Sequence, residues 1–152
     1  MKKLTVSAEG ANYSAINIGE LNNLMDYSFL HPKLNTEVKG KVFIGEILKS
    51  TGAEVSFQIL PSSAEMSFIH QHRKHEELYI FLKGKGQFQV DEDLIDVKEG
   101  TIIRIAPDGQ RTWRNNSESP MIFMVIQTQA GSLDHLFIGD GFRIEGKALW
   151  NK

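Results

Sequence analysis

From Lys41 onward the chain breaks into short segments rich in β-branched and aromatic residues: KVFIGEILK, AEVSFQIL, EMSFIHQH, ELYIFLKG, GQFQVDE, LIDVKE, TIIRIAP, RTWRN and MIFMVIQ. Turn-forming runs separate them, namely STG, LPSS, GKG, DED, EG, PDG and NSESP. Glycine, proline, asparagine and serine punctuate strands because they tolerate or preset the dihedral angles of reversals. Segments of this length and spacing predict an all-β, antiparallel sandwich or jelly-roll barrel over residues 41–129, and leave no room for the crossover helices of a parallel sheet. Residues 1–40 are more mixed. INIGELNNLMDY is expected to form a short helical turn within an arm that packs on the barrel or on a partner subunit. Residues 130–152 are expected to close one end of the same domain. ELYIFL and MIFMVIQ are apolar on both faces, whereas a jelly-roll strand needs only its inner face buried. Their outer rows therefore call for cover from the arm or from a second copy, and a homodimer is expected.

Composition sets the surroundings. A chain of 152 residues is most simply one domain and is long enough to bury a core without staples. Cysteine is absent, which removes thiol nucleophiles, cysteine-type zinc sites and disulfides. The net charge is −2 with acids and bases interspersed, and no lysine or arginine block offers a footprint for nucleic acid. No apolar run approaches the length of a signal h-region or a membrane span, so neither nucleic acid nor membrane is an expected partner. A cytoplasmic location is the default expectation.

The candidate chemistry lies in FIHQHRKHEELYIFLKG, which holds three of the five histidines. On a strand, alternate residues share a face, so His70 and His72 should point the same way, together with Phe68 and Met66. A carboxylate at the start of the next strand, Glu76 or Glu77, would stand across the turn from them. Two imidazoles and a carboxylate form a donor set suited to iron, manganese or zinc.

These residues resemble the first motif of the cupin superfamily, a glycine, an H-x-H pair, a glutamate and a final glycine. His70, His72, Glu77 and Gly84 fill the last four places, and Glu77 rather than Glu76 has the right separation from Gly84. The family's second motif, G-x5-P-x-G-x2-H-x3-N, resembles GTIIRIAPDGQRTWRNN, with Gly100, Pro107, Gly109 and Asn116 in place. The resemblance spans roughly residues 52–129 and implies the double-stranded β-helix barrel of that family with the histidines inside. Three departures stand out. Ala64 replaces the first glycine, the gap after Gly100 is one residue longer, and Thr112 stands where the family has its last histidine ligand. The implied metal site is thus His70, His72 and Glu77, holding Fe, Mn, Ni or Zn more weakly than a four-ligand site would, with Thr112 holding a coordinated water.

With Glu77 facing inward, Tyr79 and Phe81 share its face, and an inward Thr112 would bring Gln110 and Arg114 with it. Phe68, Tyr79, Phe81, Gln110, Thr112 and Arg114 are therefore the expected pocket residues, Arg114 as an anchor for a ligand carboxylate or phosphate. Two function classes follow. One is a metal-dependent cupin with oxygenase- or isomerase-type chemistry on a small organic molecule. The other is a metal-free module that binds or senses a small carboxylate or sugar-like ligand, or an isomerase-type barrel with His72 and Tyr79 as base and acid.

Overall fold

The computed structural model describes residues 2–32, 35–134 and 139–150. Its strands are β1 (Val6–Gly10), β2 (Tyr13–Ile16), β3 (Ser28–Leu30), β4 (Glu37–Lys39), β5 (Lys41–Phe43), β6 (Glu54–Leu60), β7 (His75–Lys83), β8 (Lys85–Val90), β9 (Asp93–Lys98), β10 (Ile102–Ile105), β11 (Arg111–Arg114) and β12 (Met121–Gln129). Among the described residues, helix is confined to α1 (Gly45–Leu48) and a 3₁₀ turn at Leu21–Asp26. No helix among the described residues is long and apolar enough to cross a membrane.

One sheet has the order β10-β7-β12-β6-β5 and faces a second of order β11-β8-β9. All pairings are antiparallel. Alternation puts Tyr79, Phe81, Phe88, Val97, Ile105, Trp113, Met121, Phe123 and Val125 between the two sheets, where they form the main core. The chain is an all-β jelly-roll barrel.

A second, smaller core lies on the outer face of the larger sheet. Leu24 and Tyr27 of the arm pack there on Val42, Ile59 and Ile122, with Leu4, Ile18, Leu21 and Leu82 around them. The doubly apolar character of β7 and β12 is thus met in part by the chain's own N-terminal arm. The arm also contributes two hairpins, β1–β2 and β3–β4, that its sequence did not signal.

Two segments depart from expectation. KVFIGEILK is not one strand, because Gly45 begins a helical turn that the Glu54 carboxylate accepts into place through the Gly45 N–H (2.8 Å). EMSFIHQH is not a strand either. It forms only isolated bridges, Glu65 opposite Arg114 and His70 opposite Arg111, and its other backbone bonds are widely spaced, Met66 N–H to Trp113 C=O and His72 N–H to Pro107 C=O. Residues 139–150 form no strand or helix, and Phe142, Ile144, Leu149 and Trp150 are exposed.

Candidate metal centre and barrel cavity

The bridge at His70 decides the geometry of the site. His70 N–H donates to Arg111 C=O (3.1 Å) and Arg111 N–H donates to His70 C=O (2.9 Å). Residues paired in this way point to the same side of an antiparallel sheet, so Arg111 enters the barrel with His70. Its neighbour Thr112 faces out. Along β11, Arg111 and Trp113 are buried opposite Val90 and Phe88, while Thr112 and Arg114 lie opposite Gln89 and Gln87.

This corrects the expected pocket. Thr112 and Arg114 line a groove on the outer surface, and Arg114 donates from Nε to Gln87 Oε1 (2.8 Å). Gln110 sits at the preceding turn, its N–H donating to Asp91 Oδ1 (2.9 Å). Phe81 is buried in the core below the cavity and does not line it. Phe68 and Tyr79 do line it, Phe68 at its rim and 37% exposed. The motif's asparagine is also displaced by one residue. Buried Asn115, rather than Asn116, donates from Nδ2 to the Leu60, Pro61 and Ser119 carbonyls and ties the β11–β12 loop to the end of β6.

Inside the barrel, His70, His72 and Glu77 offer ligand atoms that all lie within 4.8 Å of one another, a cluster that could hold a metal ion. His72 Nε2 stands 3.5 Å from Glu77 Oε1. Glu76 points outward to Arg104 (2.5 Å) and is not part of the cluster. His75 is outside it as well, at the start of β7 beside a groove near α1. His135 lies outside the described residues.

The other oxygen of Glu77 is fully engaged. Oε2 accepts from Tyr79 OH (2.7 Å), Arg111 Nη2 (2.6 Å) and Arg111 Nε (3.2 Å), and Arg111 Nη1 donates to Gly109 C=O (3.0 Å). The Arg111 side chain is completely buried. Burial pushes the Glu77 carboxyl up, but the hydrogen bonds from Tyr79 and Arg111 and the Arg111 charge outweigh it and hold the group below the usual carboxylate range. Tyr79 is driven the other way by burial and by the Glu77 charge, so its hydroxyl is a locked hydrogen-bond donor to Glu77 and is unsuited to the acid role. His70 is lowered to about 4 by burial first and then by Arg111, and His72 is lowered by burial. Both imidazoles are therefore neutral near pH 7, the form a metal or a polar ligand requires.

The fit to a metal is a three-donor fit. Neutral His70 and His72 and the uncommitted Oε1 of Glu77 supply it, and the His70 Nδ1 is buried without a partner. Arg111 occupies the side of the site where the family's last histidine would stand. It neutralises the one carboxylate and adds no donor. Counting from Gly100 with the family's own gap arrives at Arg111 and Asn115; the Pro107-x-Gly109 match, which pointed to Thr112 and Asn116, follows the extra residue instead. That count was available in the sequence.

A cavity of about 500 Å³ opens over the cluster. Besides His70, His72, Glu77, Phe68 and Tyr79, its wall includes Lys41, Ser56, Gln58 and Trp113. Lys41 and Gln58 were not foreseen, because β5 and β6 carry no motif.

Comparison with known proteins agrees with this architecture. Residues 56–127 match the family model described as "Cupin domain". A cupin protein of Bacteroides fragilis is 41% identical, with a TM-score of 0.66 over 69% of this chain and 89% of its own. A predicted oxalate decarboxylase of Thermotoga maritima shares the fold at 18% identity and a TM-score of 0.54, over 62% of this chain and 83% of its own. A putative sugar phosphate isomerase of Acidithiobacillus ferrooxidans does so at 17% and 0.54, over 59% and 58%. No curated protein matches the sequence. With the barrel, the inward histidine pair and glutamate, and a relative of this identity all in agreement, the chain belongs to the cupin superfamily.

Proposed function

We propose that this cupin binds a small organic molecule in its barrel and holds a divalent transition metal, Fe, Mn, Ni or Zn, there through His70, His72 and Glu77. The observation that carries the reading is the convergence of those three donors on the floor of a cavity large enough for a metabolite. A metal bound there would supply Lewis acidity, or one-electron chemistry in the case of iron or manganese, as an oxygenase- or isomerase-type reaction requires. The chain's own part is to keep both imidazoles neutral by burial, to orient Glu77 through Tyr79 and Arg111, and to exclude bulk water with the aromatic wall. The protein is proposed to act in the cytoplasm.

Arg111 favours a second reading, a metal-free module for a small carboxylate or sugar-like ligand. A guanidinium 2.6 Å from the carboxylate cancels the only negative charge in the donor set, and a divalent ion would sit close to a buried cation. Calorimetric titration with Fe, Mn, Ni and Zn decides between the two. Weak binding to wild type, none to His72→Ala, and at least a ~10-fold gain in Arg111→His, which adds an imidazole and removes the cation, is the expected pattern. Thr112→His, outside the barrel, should change nothing. If neither wild type nor Arg111→His binds any of these ions, the metal reading fails and the cavity is a metal-free site.

A further inference from the structure

Two cations of the barrel are differently placed, Arg111 fully buried and Lys41 partly buried. Arg111 is spent on Glu77. Lys41 has no such ion pair among the described residues. It enters on β5 beside Phe43, on the face opposite buried Val42, and its Nζ stands 4.9 Å from the Phe43 ring centroid. Among the described residues no carboxylate lies within ion-pair distance of it and no hydrogen bond reaches its ammonium. Glu54 and Glu65 also line the cavity, and Glu54 accepts from the N–H groups of Gly45 (2.8 Å) and Val55 (3.0 Å). An ammonium drawn into a cavity wall without a direct ion pair is costly; burial lowers the Lys41 pKa, the Glu77 charge opposes that only in part, and an anion placed beside the ammonium would offset it further.

A second, independent observation concerns the same cavity. Gln58 Oε1, His70 Nδ1 and Trp113 Nε1 are buried and have no partner. Buried polar atoms are nearly always paired, yet these three belong to residues of one cavity wall, the wall that includes Lys41. Gln58 is the direct cross-strand partner of Lys41. The unmet demands are complementary: the ammonium and the indole N–H need acceptors, the amide oxygen needs a donor, and a neutral imidazole can serve as either.

We propose that the ligand of this cavity is a small hydroxylated carboxylate, its carboxylate anchored by Lys41 and its hydroxyl groups meeting Gln58, His70 and Trp113. The proposal rests on the reading that the barrel binds a small organic molecule; its Lys41 anchor holds with or without a metal on the histidine cluster.

Gluconate and sorbitol make a matched pair of probes, polyols with and without the carboxylate, and hexanoate is a carboxylate without hydroxyls. Calorimetry on the full chain should show saturable binding of gluconate, with hexanoate and sorbitol weaker. Lys41→Met should weaken gluconate at least ~10-fold and Lys41→Arg should retain most of it, both variants keeping the wild-type circular dichroism spectrum. Equal gluconate affinity in wild type and Lys41→Met, or sorbitol binding as tightly as gluconate, would overturn the proposal. Neutral probes whose binding His72→Ala abolishes and Lys41→Met spares would overturn it while leaving the barrel as a binding site. Silence from every probe, charged and neutral, would remove both.

Discussion

Arg111 shows how far single residues could be read from the sequence and where reading stopped. The histidines and Glu77 were legible because an H-x-H pair with a following glutamate fixes three side chains within one turn. Arg111 was hidden by a one-residue ambiguity, since the chain carries an extra residue between Gly100 and Pro107 and parity along β11 depends on which anchor is trusted. Parity errors are all-or-none in a strand, so Gln110, Thr112 and Arg114 moved outside together. The electrostatics that follow make a prediction of definite sign. His70 titrates near 4 in the fold through burial and Arg111, with Lys41 and His72 adding to the effect and Glu77 opposing it. The unfolded chain takes up that proton near pH 6.5, so the stability tied to a neutral His70 is present above that pH and is lost as the pH falls from ~6.5 towards 4. For a partly exposed imidazole the loss should be ~1–2 kcal/mol after solvent screening. Partly buried His72, whose pKa is also lowered by burial, adds a loss of the same sign. Urea unfolding of chelator-treated protein at pH 7 and pH 5 should show the decline, with His70→Leu declining less. Equal slopes for the two proteins would refute it.

At the level of elements, the strands with strong patterning and clear turns, β6 to β12, stood out in the sequence. The arm did not, because its hairpins β1–β2 and β3–β4 are short and mostly exposed and so carry little hydrophobic period. The histidine segment was read as a strand for the opposite reason. Its alternation is real, but the Pro61-Ser62-Ser63 turn and the approach of β11 leave it bridged at isolated points rather than laddered. The reversal from β7 in the larger sheet to β8 in the smaller one depends on one position. Gly84 has φ +81°, and a Cβ there would come within 2.4 Å of the Pro120 carbonyl oxygen and 3.0 Å of the Met121 Cα. Both atoms are backbone and cannot rotate away. Gly84→Ala should therefore cost ~2 kcal/mol or more, the left-handed penalty plus the displaced loop, whereas Gly52→Ala, with nothing within 4 Å of its would-be Cβ, should be close to neutral. Thermal unfolding of the two variants makes the comparison, and similar midpoints would show that the reversal tolerates the side chain.

For the whole molecule, the question is what completes the outer face of the larger sheet. Strand pairing lines up Ile102, Ile80, Met124, Phe57 and Val42 in one row across that face. The arm covers the Val42 end, where Leu24 and Tyr27 are buried. At the other end Ile80 and Met124 are only half-buried and Ile102 is 63% exposed on edge strand β10. An uncovered apolar row ending on an unpaired strand edge is the kind of surface that a second copy of a sheet protein covers. The exposed Phe142, Ile144, Leu149 and Trp150 add apolar area that one copy leaves in water. We propose a homodimer closed over the β10 side of the sheet. Sedimentation velocity at micromolar concentration should give a dimer. Ile102→Glu, placing a charge at the exposed end of the row, should shift it to monomer while Lys39→Glu, on the arm side, should not. A wild-type monomer, or a dimer indifferent to Ile102→Glu, would mean that the arm provides all the cover this face requires.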